Sequence, residues 1–197
     1  MKVTNSLKYI FVSQTRLKLI GVLFYFPSDI YYVRQLVRLV GEEINSVRRE
    51  LENMKKAGVV ESEWRGNRLY YSANRNSPLF LDLLVLANKI NGLGSALIEN
   101  KDKVGSVKLL VYSYNFLSGN HEGKGDVDLI IVGDVSFREI EALIKSEEER
   151  RGHEINYMVM DKSELLLRKQ KRDQFIVDFF LNYPLVIIGS PQEVANI

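Results

Sequence analysis

The sequence predicts an α+β fold in two modules, and three observations predict it. Residues 14–57 place apolar side chains at helical spacing. Residues 59–73 alternate and reverse as a hairpin. From residue 106 onward, short apolar strand runs alternate with amphipathic helices. A chain of 197 residues suffices for one large or two small domains, each able to bury a core.

The first expected helix covers residues 14–26, with Leu17, Ile20, Leu23 and Phe24 on one face. Pro27 ends it, and Ser28 or Asp29 is expected to cap the next helix. Residues 30–40 carry Val33, Leu36, Val37 and Val40 at i, i+3, i+4, i+7, and Gly41 then turns the chain. Residues 42–57 form a third helix with Ile44, Val47, Leu51 and Met54 inward. Its acids come early and its lysines late, as the helix dipole favours, and Gly58 stops it.

In VVESEWRGNRLYYSA, Val60, Ser62 and Trp64 alternate with Glu61 and Glu63. Arg65-Gly66-Asn67 is turn chemistry, and Leu69 to Ser72 returns as a strand, giving a hairpin with a basic tip. From Leu79 to about Ile98 the chain is apolar almost all round, so this expected helix needs burial by something. Strands are expected at 106–112, 127–132, 153–160 and 185–189. A polar-faced helix is expected at 136–150, and one or two helices at 162–182. The run Glu147-Glu148-Glu149-Arg150-Arg151 reads as a solvated helix end, and His121 and His153 as loop or strand-edge residues rather than metal ligands.

Apolar residues make up 46% and charged residues 26%, ordinary for a globular protein. No apolar run reaches the roughly 18 residues needed to span a bilayer. The N-terminus lacks an apolar stretch followed by a small-residue cleavage site, so no signal peptide, no membrane partner and a cytoplasmic location are expected. The absence of cysteine excludes disulfides, thiolate metal sites and cysteine nucleophiles. The net charge of +2 divides unevenly: residues 1–92 hold fourteen Lys and Arg against eight Asp and Glu, and residues 93–197 hold thirteen against seventeen. A basic first half suits a polyanion, because Lys and Arg near phosphates release condensed counterions.

Three helices followed by a basic-tipped hairpin is the order of a winged helix-turn-helix. The third helix then packs one face on the core and turns the other to a major groove, its N-terminal part reaching base edges. The outward residues there are Asn45, Ser46, Arg48 and Arg49, and Arg pairs with guanine as Asn does with adenine. At the hairpin tip Arg65, Asn67 and Arg68 are candidate minor-groove or phosphate contacts, with Arg34 and Lys55 as backbone contacts. The segment VRRELENMKKAGVVESEWRGNRLYYSAN resembles the ArsR-like winged-helix family through Leu51, Gly58, Val59, Val60, Gly66, Tyr70 and Tyr71, over about residues 13–78. The resemblance implies a transcriptional regulator on double-stranded DNA. The Cys and His ligands of the family's metal sensors are absent from this domain. Such repressors work as dimers, because pseudo-palindromic sites mirror protein symmetry. Leu79, Leu83, Leu86, Ile90, Leu93 and Leu97, at three- or four-residue spacing, are the candidate homodimer contact, the alternative being that this helix packs on the chain's own two domains.

In the second half, Asp126 and Asp128 stand two apart at the head of an apolar strand, so their carboxylates share a face. They repel each other unless a cation or a proton intervenes, and Mg2+ typically sits on carboxylates plus nucleotide phosphates. With the preceding strand, Ser113 at its end and a loop glycine at Gly119 or Gly123, this resembles the minimal nucleotidyltransferase domain of the polymerase-beta superfamily, over about residues 104–190. The resemblance implies Asp126 and Asp128 as metal-binding and catalytic acids, Ser113 and Gly119 as nucleotide-binding residues, and Mg2+ and a nucleoside triphosphate as cofactors. Tyr112 replaces the family's glycine before the serine, and the loop from Ser113 to Asp126 is longer than usual. If Asn156 occupies the third carboxylate's position the catalytic base is lost, and Glu154 on the same strand face is the substitute. Two outcomes stay open: a degenerate or ligand-binding domain, and an active Mg2+-dependent transferase acting on a protein, RNA or small-molecule acceptor. The expected organisation is a winged helix-turn-helix at 1–78, a linker or dimerisation helix at 79–103, and a nucleotidyltransferase-like α/β domain with a small mixed sheet at 104–197.

Overall fold

The computed structural model describes residues 6–120, 127–190 and 192. It is an α+β protein with two small sheets, and the chain divides into two compact units between Asn91 and Gly92. Because neither boundary residue is charged, the basic and acidic halves of the sequence coincide with the two units. Among the described residues, no single helix is long and apolar enough to cross a membrane.

The first unit opens with α1 (Gln14–Leu23), capped by the Ser13 side chain, which accepts from the Arg16 N–H at 3.2 Å. Leu17, Ile20, Leu23 and Phe24 are buried as the periodicity expects, and Leu19 joins them. A two-residue strand β1 (Tyr31–Tyr32) precedes α2 (Val33–Val40). This moves the cap: Tyr32, not Ser28 or Asp29, is the N-cap, and its N–H donates to Gln35 Oε1 at 3.0 Å. Asp29 instead accepts from the Tyr31 hydroxyl at 3.0 Å. Helix α3 (Ile44–Lys56) buries Val47, Leu51 and Met54, and α1, α2 and α3 pack on one another.

Strands β2 (Val60–Arg65) and β3 (Arg68–Ala73) pair antiparallel in the order β1-β3-β2, with Arg65 opposite Arg68. Gly66 and Asn67 form the two-residue turn, and Gly66 holds φ at +60°. A II′ hairpin turn needs φ > 0 at that first central position, which only glycine adopts without strain.

Helix α4 (Phe80–Ile90) buries Phe80, Leu84, Ala87 and Asn88. The single helix expected from Leu79 to Ile98 is interrupted: Asn91 leaves the helical region at φ −130°, ψ 167°. Its side-chain amide donates to the Gly21 carbonyl at 2.9 Å. A Cβ on Gly21 would lie 2.7 Å from that amide nitrogen, so a larger residue there would push the Asn91 side chain aside. Apolarity all round predicts burial but gives no sign of where a helix breaks.

The second unit begins with α5 (Gly92–Glu99) and α6 (Lys101–Val104). Its sheet has the order β6-β5-β4-β7, built from β4 (Gly105–Tyr112), β5 (Leu129–Val135), β6 (Tyr157–Met160) and β7 (Leu185–Ile188). The sheet is mixed: β5 and β6 run parallel, and the other two pairings are antiparallel. The central strands are buried on both faces, hence their unbroken apolar runs. Leu109, Val111, Ile130 and Val132 face a core that includes Leu165 of α9 (Lys162–Gln170) and Ile176, Phe179 and Phe180 of α10 (Gln174–Leu181). Between β4 and β5 lies the five-residue α7 (Tyr114–Ser118), whose Phe116 stacks on Tyr112 at 5.5 Å. Helix α8 (Phe137–Arg151) connects β5 to β6.

Two expectations change here. The strand expected at 153–160 spans only Tyr157–Met160, leaving His153, Glu154 and Asn156 ahead of it. The run 147–151 is not simply a solvated end. Glu147 is 3% exposed, pairs with Arg151 at 2.6 Å and accepts from the Leu93 N–H at 3.1 Å. The Arg151 guanidinium also lies 4.5 Å from the centre of the Phe116 ring. Glu148 accepts from the Ile155 N–H at 2.9 Å. The i, i+4 pairing lets both charges lie on the inner face, where neither would be buried alone.

Candidate nucleic-acid interface

Helix α3 sorts its side chains by position. Val47, Leu51 and Met54 are inward; Asn45, Arg48, Arg49 and Glu52 are exposed at i, i+3, i+4 and i+7 on the other face. The inner face also carries Glu50, 4% exposed. Arg16 on α1 donates to it from Nε at 2.8 Å and from a terminal guanidinium nitrogen at the same distance. Burial pushes the Glu50 pKa upward, but hydrogen bonds from Arg16, Ser13 and Asn53, with the Arg16 charge, outweigh it and leave the carboxyl below the ordinary range.

The exposed side of α3, the first turns of α2 and the hairpin enclose a groove of about 1000 Å³. Five arginines line it: Arg34 and Arg38 from α2, Arg48 and Arg49 from α3, and Arg68 from β3. Among the described residues, Glu52 is the one acid in the lining. Among the described residues none of these five guanidiniums forms an ion pair with a carboxylate. Arg68 instead lies over the Tyr32 ring, 4.9 Å from its centre, and Tyr32 meets Tyr70 edge-on at 5.9 Å. The stacking fixes the guanidinium at the groove wall while leaving its donors available. Trp64, 71% exposed, completes the wall on the hairpin side.

Of the sequence-predicted DNA residues, the groove brings together Arg48, Arg49, Asn67 and Arg68. Asn45 is exposed on the same helix face and Ser46 is half-buried, and neither lines the groove. Arg65 is ion-paired with Glu63 on its own strand and lies 5.8 Å from the Tyr70 ring centre. Arg34 lines the groove, whereas Lys55 is exposed outside it. Sequence reasoning missed Arg38, Glu52 and Trp64 as groove residues. The signal for Arg38 was its place four residues after Arg34, on the side of α2 away from Leu36 and Val40.

Tyr71 closes the groove floor and is buried. Its hydroxyl pKa is raised, first by burial and then by the Glu52 charge, with Arg48 opposing.

In the second unit, Asp126 lies outside the described residues, as do Gly123 and His121. Asp128 is 2% exposed, and its Oδ2 accepts from the Asn156 N–H at 2.8 Å. Its own N–H donates to the Asn156 carbonyl at 2.7 Å, and its carbonyl accepts from the Ser113 N–H at 2.8 Å. Asp128 thus ties the end of β4, the start of β5 and the approach to β6 together. Ser113 is the N-cap of α7, its Oγ accepting from the Phe116 N–H at 3.2 Å, and Gly119 is the left-handed C-cap of the same helix. Glu154 is exposed before β6. Among the described residues, no group of three or more Asp, Glu, His or Cys side chains could hold a metal ion.

No family model matches the chain, and neither a curated protein nor a solved structure matches it.

Proposed function

We propose that the first unit is a winged helix-turn-helix that binds double-stranded DNA, and that the chain is a transcriptional regulator. Helix α3 enters the major groove with Arg48 and Arg49 toward base edges. The hairpin grips alongside, with Asn67 and Arg68 toward the backbone. The observation that carries this reading is the groove itself: five guanidiniums, none with a carboxylate partner among the described residues, converge on one concavity bounded by α2, α3 and the hairpin. Exposed guanidiniums gathered in one place create a positive field that attracts a polyanion, and phosphate is an anion their fork geometry suits.

A homodimer accompanies the reading, since two half-sites call for two readers. Of the leucines expected at the contact, Leu79, the N-cap of α4, is exposed, as is Leu81 beside it, and Leu83, Leu86 and Ile90 are only half-buried, whereas Leu93 and Leu97 are buried in α5 and are not available to a partner. In the second unit, Ser113 and Gly119 serve as helix caps and Asp128 as a tie between strands. Those roles support a nucleotidyltransferase-like domain that is structural or ligand-binding rather than one performing Mg2+-dependent transfer from a nucleoside triphosphate.

The test is a fluorescence-anisotropy titration of a labelled random-sequence duplex with the wild-type chain and with an Arg48→Ala, Arg49→Ala, Arg68→Ala variant. The wild-type chain binds saturably and the variant loses most of its affinity while keeping its circular-dichroism spectrum. Equal affinity in the two proteins would refute the docking.

A further inference from the structure

We propose that Glu52 is a specificity-determining residue of the groove: standing one α-helical turn after Arg48 on α3, it accepts a hydrogen bond from the exocyclic amine of a cytosine close to the base read by Arg48. The inference rests on the DNA-binding reading above and adds to it what sequence the groove selects.

Among the described residues, Glu52 is the one carboxylate in a groove lining that holds five arginines. A carboxylate set against phosphates is repelled, so this position works against simple backbone affinity. Among the described residues, no ion pair removes its charge, since neither Arg48 nor Arg49 pairs with it. It belongs to the exposed face of α3, four residues after Arg48 and three after Arg49, and therefore on the stripe that faces the bases if those arginines do.

An ionised carboxylate only accepts hydrogen bonds. In the major groove guanine presents two acceptors and thymine an acceptor and a methyl, so both reject it. Adenine presents a donor beside an acceptor. Cytosine presents its amine alone, and Glu or Asp accepting from that amine is an established pairing. Glu52 and Arg48, about 6 Å apart along the helix axis, therefore select a short step in which one base pair offers guanine to the arginine and a close neighbour offers cytosine to the acid. The repulsion that Glu52 exerts on every other sequence is the element that rejects wrong sites.

The experiment is a selection from randomised duplexes, followed by affinity measurements on the selected site with one base pair varied at a time. It uses the full chain as wild type, Glu52→Ala and Glu52→Gln. The wild-type chain should prefer C·G over the other pairs at one position by about tenfold. Glu52→Ala should bind all four pairs at that position within a few-fold, and should bind non-specific duplex more tightly than the wild type. Glu52→Gln should move the preference to adenine, which a glutamine amide pairs bidentately. Preference at the position read by Arg48 should persist in both variants. Retention of the wild-type cytosine preference by both variants would overturn the role of Glu52 while leaving duplex binding intact. Failure of the wild-type chain to bind any duplex would overturn the parent reading and this one together.

Discussion

The Arg16 guanidinium meets the buried Glu50 carboxylate at 2.8 Å, joining α1 to the inner face of α3. The same helix that carries the groove arginines on its outer face is thus held to the core by an ion pair. Arg16→Ala leaves the carboxylate without its charged donor and should cost about 2 kcal/mol, read as a lowered midpoint in urea at neutral pH. Because folding lowers the Glu50 pKa, its contribution is complete above the ordinary carboxyl value of about 4.5 and is lost as the pH falls through the folded value. The difference between wild type and Glu50→Gln should therefore shrink on acidification. A difference independent of pH would contradict the pairing.

Glu63 pairs with Arg65 on the hairpin, whereas Arg68 rests on Tyr32 with no carboxylate partner among the described residues. Arg68→Ala should lower the slope of log K against log salt by about 0.9, and Arg65→Ala should lower it by less. Glu63→Gln frees Arg65 and should tighten non-specific duplex binding by about 0.5 kcal/mol, the scale of an exposed pair. Weaker binding by Glu63→Gln would show that the acid itself contributes to the interface.

Asp128 spans two strand ends through Asn156 and Ser113. Asp128→Asn should cost about 2 kcal/mol, the worth of a hydrogen bond to a charged group, seen as a lowered Tm in the absence of any divalent ion. If instead the variant melts as the wild type does, and only an Mg2+-induced rise in Tm disappears, the residue is a metal ligand and the transferase reading revives.

Much of the first unit was legible in the sequence because its signals are periodic. Leu17, Ile20, Leu23 and Phe24, and again Val47, Leu51 and Met54, repeat at the helical interval that burial of one face demands. Gly66-Asn67 named its turn through the backbone freedom of glycine. What escaped depends on partners distant in the chain. Nothing near Glu50 signals that Arg16, thirty-four residues earlier, will lie beside it. Glu147 and Arg151 read as surface because the Leu93 N–H and the Phe116 ring reach them only in the folded unit. Ser113 and Gly119 looked like a phosphate loop, yet the same residue types cap a helix equally well. The groove was half visible: its α3 arginines stood out, while Arg38 and Trp64 became its walls only once the hairpin folded beside α2 and α3.

The outer side of α4 and its N-cap expose Leu81 and Leu79 beside half-buried Leu83 and Leu86. With a homodimer formed there, Leu83→Glu combined with Leu86→Glu should halve the mass seen in sedimentation equilibrium while preserving helical content. A wild-type chain that sediments as a monomer at every concentration tested would remove α4 as an interface.

Trp64 is the chain's one tryptophan and stands on the wall of the arginine groove. Its emission, titrated with random-sequence duplex over a series of salt concentrations, therefore reports the groove directly. The expected result is a saturable change in emission whose log K falls linearly with log salt, as counterion release requires. Emission that stays constant at low salt while duplex is added to excess would contradict the placement of DNA between α3 and the hairpin.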